Sequence, residues 1–182
     1  MRVITTFFFL LSFLMGNGYR DYGSKAIVKV DRSLYVEYRK QLERLTPVQR
    51  ERLQYIYARC ARYDLSKTCA AIAWEESMFG VYKVIPDTGD YGVMGINLKW
   101  YMIDNGYNRH NRYLKSRLAT KLACNDDYSI MYAIAKLEKL KSKYKTWKEV
   151  WAHYNGGTRP NWRYAKRILN KIVALRHYLK DN

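Results

Sequence analysis

Ser66-Lys67-Thr68-Cys69-Ala70-Ala71-Ile72-Ala73-Trp74-Glu75-Glu76-Ser77-Met78-Phe79 is the stretch from which the fold can be read outward. Its apolar residues Cys69, Ala70, Ile72 and Ala73 recur at helical steps, and Ser66 stands where a cap would open the helix. That spacing puts Glu76 one turn after Ile72 and Ala73, two turns after Cys69 and three residues before Phe79, on the apolar stripe. A carboxylate there is poorly solvated. Desolvation penalises the ionised form, so the acid keeps its proton to higher pH than a free glutamate, as a general acid must. A second reading stays open, because Glu75 also has Ile72 and Phe79 nearby, and a glutamate at a helix end can simply pair with one of the many lysines or arginines.

Upstream, Leu34, Tyr38, Leu42 and Leu45 keep helical spacing from Asp31 until Thr46-Pro47 interrupts them. Thr46 can cap a second helix with Pro47 in its first position and Leu53, Ile56, Tyr57 and Cys60 as its stripe. Downstream, the period vanishes between Gly80 and Asn97, which reads as one irregular loop with at most a short hairpin. Helical spacing resumes around Arg112–Leu122 and again over Tyr128–Lys143, where Asn125, Asp126 or Asp127 can cap. Thr146-Trp147-Lys148-Glu149 is a capping box, and the helix it opens should stop at Tyr154-Asn155-Gly156-Gly157. A last basic helix runs from about Trp162 to Leu179.

At 182 residues, with 48% hydrophobic and 27% charged side chains, the chain suits one globular domain with a real core, which excludes disorder and fibrous repeats. Lys and Arg number 33 against 16 acidic residues, a net charge of +17 that implies an anionic partner. Residues 136–180 hold 13 of those cations against Glu138 and Glu149 alone. After Met1 and Arg2, the run Val3–Met15 is apolar except for Thr5, Thr6 and Ser12. It is shorter than the roughly 20 residues a bilayer-spanning helix needs. Residues 1–20 therefore read as a signal peptide, or as a signal anchor if Gly16-Asn17-Gly18-Tyr19, which is not the preferred small-x-small site, escapes cleavage. Residues 21–182 are left as the working domain, exported to the periplasm or cell envelope and touching membrane only through an uncleaved N-terminal segment. Export points the positive charge at cell-wall polyanions, and with no recognisable motif present nucleic acid is not an expected partner. Cys60 and Cys69 fall on apolar helix faces and read as small buried hydrophobes; with Cys124 they imply no disulfide framework. His110, His153 and His177 are scattered and neither H-E-x-x-H nor C-x-x-C occurs, so no metal and no cofactor are expected.

Three segments in register resemble the soluble lytic transglycosylase family of the lysozyme-like superfamily: Ala71–Phe79 with its Glu76-Ser77, Asp90-Tyr91-Gly92-Val93-Met94-Gly95-Ile96-Asn97, and Tyr154-Asn155-Gly156-Gly157 followed by Tyr164-Ala165. The family pattern is a helix ending in Glu-Ser, a Gly-Leu-Met-Gln-Ile-type loop about 20 residues on, and Tyr-Asn-x-Gly before a final helix; the resemblance covers residues 50–175. The Ile96-Asn97 ending and Trp100 resemble the short transglycosylases that accompany secretion systems and phage particles. The fold this implies is mainly α, of the α+β lysozyme-like kind: a single helical domain with a catalytic cleft and one irregular loop or small hairpin. The partner it implies is the peptidoglycan glycan strand.

Carried over by position, Glu76 matches the catalytic acid and Ser77 the small polar residue after it, while Glu75 matches no catalytic position. Gly92, Met94 and Ile96, with Asn97 at the end, match the loop that lines the sugar cleft, although core packing is an equal reading for Met94 and Ile96. Tyr154 matches a tyrosine near the catalytic carboxylate, and Asn155 and Tyr164 match supporting positions. Gly95 stands where the family usually has Gln, so one substrate contact is missing, and Ser129 stands nearest to a frequent Asn. The resemblance implies that Glu76 alone protonates the oxygen between N-acetylmuramic acid and N-acetylglucosamine, leaving a 1,6-anhydromuramyl end. Asp87 or Asp90, in the facing loop, would as a second carboxylate make a hydrolytic lysozyme instead. A basic wall-binding or assembly protein with weak or no turnover is the remaining alternative.

Overall fold

Capping chemistry written in the sequence sets most of the helix boundaries. The computed structural model describes residues 32–181; the segment read as a signal, residues 1–20, lies outside them. Its elements are α1 (Arg32–Glu43), α2 (Pro47–Ala61), α3 (Ser66–Ser77), β1 (Val84–Ile85), β2 (Asp90–Tyr91), β3 (Ile96–Asn97), α4 (Leu98–Asp104), α5 (Arg112–Cys124), α6 (Asp126–Lys143), α7 (Trp147–Gly156) and α8 (Trp162–Asp181). Thr46 closes a capping box with Gln49 at the start of α2, and Thr146 closes one with Glu149 at the start of α7. Asn125 is the residue that caps α6, its side chain accepting from Tyr128 N–H at 2.9 Å.

α3 is the central helix. Thr68 through Trp74 are all at most 2% exposed, because α2, α6 and α8 pack around it. Its alanines let those neighbours approach closely, which is why the segment shows no single polar face. Trp74 fills the space beside them, edge-on to Tyr38 at 5.3 Å and stacked on Phe79 at 6.0 Å. Burying a side chain of the size of Ile72 or Phe79 is worth about 1.5–3 kcal/mol, so this helix is a large part of the core. The lysozyme-like, mainly helical architecture expected from the sequence is present, with the irregular loop resolved into a small antiparallel sheet in the order β1-β2-β3. Val84 pairs with Tyr91 and Ile85 with Asp90, then Asp90 with Asn97 and Tyr91 with Ile96. Among the described residues no helix is long and apolar enough to cross a membrane.

Three expectations need correction. Ser66 is the first helical residue of α3 rather than its cap; Leu65 occupies the cap position and makes no side-chain cap bond. α4 was not legible: its seven residues Leu98–Asp104 are short, rich in aromatic and β-branched side chains, and start directly where β3 ends, capped by Asn97. Cys60 and Cys69 are wholly buried as expected of small hydrophobes, yet they are bonded to each other, with Cα atoms 6.5 Å apart. The reason lies in the connection, where Asp64 at φ 55° turns the chain so that the last turn of α2 faces the first turn of α3. Both apolar stripes then meet, and the two thiols meet with them. Closing so short a loop removes about 2–3 kcal/mol of chain entropy from the unfolded state. Replacing both by alanine should lower the melting temperature by roughly 5–10 °C, and reductant should do the same to the native protein while leaving the variant unchanged, as read by thermal denaturation.

Candidate active site

Two adjacent glutamates on one helix diverge by about 100° around its axis, and the last turn of α3 uses that divergence. Glu75 points to α8, where Lys171 Nζ lies 2.8 Å and Arg167 Nε 2.5 Å from its carboxylate oxygens. Burial pushes its pKa up, but the two cations outweigh burial and hold it below the usual carboxylate range. Glu76 points the other way and among the described residues has no ion pair of this kind. Burial pushes its pKa up to about 7, the nearby charges of Glu75 and Asp90 add to the shift, and the Tyr164 hydroxyl and Lys136 pull against it. Tyr164 Oη is buried with no hydrogen-bond partner in contact among the described residues, and the Glu76 carboxyl is the acceptor group it acts on. One of the two readings left open for this pair therefore belongs to each residue: Glu75 is the ion-paired glutamate and Glu76 the desolvated one.

The chain leaves α3 through two consecutive left-handed residues, Met78 at φ 51° and Phe79 at φ 55°. Such backbone costs on the order of 1–3 kcal/mol per residue and persists only where its surroundings fix it. Here Phe79 is wholly buried, its carbonyl accepts from Arg52 Nη1 at 2.9 Å, and Met78's carbonyl accepts from Gln49 Nε2 at 3.1 Å. Arg52 is itself held by Asp126, at 2.8 Å, so α2, α3 and α6 are tied together at the end of α3.

The loop between β2 and β3 is laid across Glu76. Gly95, at φ 59°, comes so close that a Cβ there would sit 2.6 Å from Glu76 Oε2 and 2.7 Å from Glu76 Cβ. A larger residue here requires the Glu76 side chain to move, so the close approach of this loop goes with glycine at the position of the expected Gln. Gly92, at φ 81°, is equally constrained on its other side, where a Cβ would meet the Leu122 carbonyl at 2.4 Å. Three side chains fasten the loop. Ser77 Oγ lies 2.8 Å from the Val93 carbonyl, Ser129 Oγ accepts from Met94 N–H at 3.2 Å, and Tyr154 Oη donates to the Met94 carbonyl at 3.1 Å. Ser129 thus does a hydrogen-bonding job at the site where the family often has Asn.

A cleft of about 540 Å³ opens over Glu76. Of the residues expected to border sugar, Glu76, Asp90, Asn97, Tyr154 and Asn155 line it. Asn97 Nδ2 donates to Asp90 Oδ1 at 2.9 Å and to the Thr88 carbonyl at 2.8 Å, fixing the Asp90 side chain at the wall. Asp87 is exposed in the β1–β2 turn and is no part of this wall. Ser77, Gly92, Met94, Ile96 and Tyr164 are buried and do not line the cleft. These five pack behind the wall, where they position the loop and the carboxyl. Sequence reasoning missed the opposite wall, where Lys136, Lys139 and Lys143 of α6 face the cleft, and missed Asp104 of α4. Lys136 Nζ lies 4.5 Å from the Tyr154 ring centre, and burial pushes its pKa down against the pull of Asp104, Glu76 and Asp90. Steps of three and four along α6 carry that signal, but a run of lysines in the sequence does not say which of them face a cleft.

Because the folded protein raises the pKa of Glu76 from 4.5 to about 7, the native state prefers the protonated acid. Stability from this group is greatest below pH 4.5 and is lost as pH rises toward 7. Glu76→Gln should therefore stabilise the protein at pH 8, by roughly 1–3 kcal/mol in urea denaturation, and show little of that gain at pH 4.5.

Comparison with known proteins bears on the same residues. Matched against curated proteins and against solved structures, the chain finds no counterpart. The family described as the transglycosylase SLT domain matches residues 54–172, about two thirds of the chain, a span that runs from α2 into α8 and includes every residue of the cleft. The chain thus belongs to the transglycosylase SLT family, and is a lytic-transglycosylase-type enzyme of the lysozyme-like superfamily that acts on peptidoglycan.

Proposed function

We propose that Glu76 is the single general acid and base of a reaction that cleaves the β-1,4 bond between N-acetylmuramic acid and N-acetylglucosamine and leaves a 1,6-anhydromuramyl end. The observation that carries this reading is one desolvated carboxyl at the floor of the cleft whose pKa, near 7, suits both donating and accepting a proton. In the first step Glu76 gives its proton to the bridging oxygen as the C1–O4 bond breaks, and the acetamido oxygen of the muramyl residue bonds to C1. In the second, the Glu76 carboxylate takes the proton of the C6 hydroxyl, O6 bonds to C1, and the acetamido oxygen leaves. The acid ends as it began and no water is consumed. Tyr154 and Tyr164, both buried beside the carboxyl, hold their hydroxyl protons firmly because burial and the nearby Glu76 charge push their pKa values well up; they can position Glu76 but cannot serve as acids.

Asp90 supports a second reading, since it lines the same cleft and could assist as a lysozyme-type carboxylate. Its firm hold by Asn97 favours an electrostatic role, raising the Glu76 pKa, over nucleophilic attack. Residues 1–20 as an export signal and 21–182 as the enzyme domain complete the reading, and the Cys60–Cys69 disulfide, which persists in oxidising compartments, supports a periplasmic or envelope location. Ile96-Asn97 and Trp100 support the short type that accompanies secretion systems or phage particles.

Glu76→Gln should reduce release of peptidoglycan fragments by about 10²–10⁴-fold, and mass spectrometry of the native enzyme's fragments should show anhydro ends. Reducing ends would identify a hydrolase, and unchanged release by the variant would remove Glu76 from its role. kcat/KM should fall as pH rises through about 7, where Glu76 loses its proton. Asp90→Asn removes a charge that raises the Glu76 pKa, so this limb should move to lower pH with anhydro products retained; loss of all turnover would instead make Asp90 a chemical participant.

A further inference from the structure

Lys136, Lys139 and Lys143 recur at steps of three and four on α6, so they share one helix face, and all three line the cleft. Together they cover about 10 Å of its length. Among the described residues no carboxylate lies within 4.0 Å of any of them, whereas Glu75, Asp126 and Asp127 elsewhere in the fold are each held by a lysine or arginine. Lys136 Nζ rests over the Tyr154 ring and Lys143 Nζ over the Tyr144 ring, contacts that hold the ammonium groups beside the cleft; an ammonium has three N–H donors and a ring face uses at most part of them. Three ammonium groups along one wall repel one another, and half-burying Lys136 with carboxylates nearby but none in salt-bridge contact is unfavourable, so the wall can receive anions. Asp90, held by Asn97, lines the same cleft, and Asp104 is held by Tyr132 of α6 at 3.1 Å, so the carboxylates of the cleft are occupied by hydroxyl and amide donors rather than by the row. A glycan lying in the cleft meets the lysine row along α6.

Resting on the assignment of this cleft to peptidoglycan, we propose that Lys136, Lys139 and Lys143 form a carboxylate-reading row that recognises the acidic substituent of the muramyl residue. That substituent is the lactyl ether at C3, which ends in a free carboxylate on a bare strand and in a peptide with carboxylates of its own on a substituted one. N-acetylglucosamine carries neither. The row distinguishes peptidoglycan from an uncharged N-acetylglucosamine polymer of the same backbone geometry.

The test compares three ligands of equal length: glycan fragments bearing stem peptides, the same fragments stripped by an amidase, and N-acetylglucosamine oligomers. Binding is measured by calorimetry in full-length protein carrying Glu76→Gln, so that turnover does not intervene, with Lys139→Ala/Lys143→Ala added. These two side chains are exposed, so the fold should tolerate their loss. The preference for charged over uncharged ligand should fall about tenfold at low salt and be restored by Lys139→Arg/Lys143→Arg. Lys115→Ala/Lys166→Ala, which removes two exposed charges away from the cleft, should leave that preference intact. A loss confined to peptide-bearing fragments assigns the recognised group to the stem, and a loss on stripped strands assigns it to the lactyl carboxylate; either supports the row. An equal loss on the uncharged oligomer, no loss at all, or an equal effect of the control pair overturns it. Undiminished fragment release by Glu76→Gln alone would sink the catalytic assignment while leaving this readout standing.

Discussion

Burial of the Glu76 carboxyl without an ion pair is the constraint around which the rest of this structure is arranged. An acid with a pKa near 7 exists only where water is kept away from the charged form and no cation is close enough to compensate. α3 meets the first condition by being the most enclosed helix, its alanines admitting α2, α6 and α8 to close range. It meets the second by diverting cations to the neighbouring position. Lys171 and Arg167, the nearest strong positive charges on α8, are taken by Glu75, which thereby shields Glu76 from pairing and adds a negative charge beside it. In a chain of net charge +17 that diversion matters, because an unpaired carboxylate has many lysines and arginines to find.

Desolvation has to be maintained by a lid that cannot drift, and the β2–β3 loop is that lid. Its fastening is distributed over elements distant in sequence: Ser77 from α3, Ser129 from α6 and Tyr154 from α7 all bond to the backbone of Val93 or Met94. None of these bonds is to Glu76 itself. The carboxyl is positioned by backbone packed on it rather than by a hydrogen-bonding side chain from the loop, which is the physical meaning of glycine at position 95.

Legibility in the sequence followed the range of the interaction concerned. Thr46-Pro47, Thr146-Glu149 and the paired glycines after Tyr154 act within a few residues, so the boundaries of α2 and α7 could be read directly. The apolar neighbours of Glu76 at helical spacing were equally visible, but which glutamate faces the cleft depends on Lys171 and Arg167, about ninety residues on, and no local pattern supplies that. The Cys60–Cys69 bond failed for the same kind of reason: two buried positions were identified, while the left-handed turn at Asp64 that brings them together was not. The lysines of α6 could be counted but not placed, because composition reports charge without direction. Only the packing of α6 against α7 decides which of its faces becomes a wall.

Gly95 and the α6 lysines are connected through the geometry of the cleft. With no side chain reaching up from the loop at position 95, the floor beneath a bound sugar is backbone and the Glu76 carboxyl, and neither can fix the sugar's rotation about the strand axis. Orientation then has to come from the walls. Lys136, Lys139 and Lys143 put positive charge along α6 in the cleft, and their field acts on any charged substituent the strand carries. A hydrogen bond from the floor would be short-ranged and indifferent to salt; the field of a charged row acts before contact and weakens as ionic strength rises. The loss of one contact at the loop and the gain of charge on the wall are thus two parts of one arrangement, in which this enzyme orients its substrate from the side.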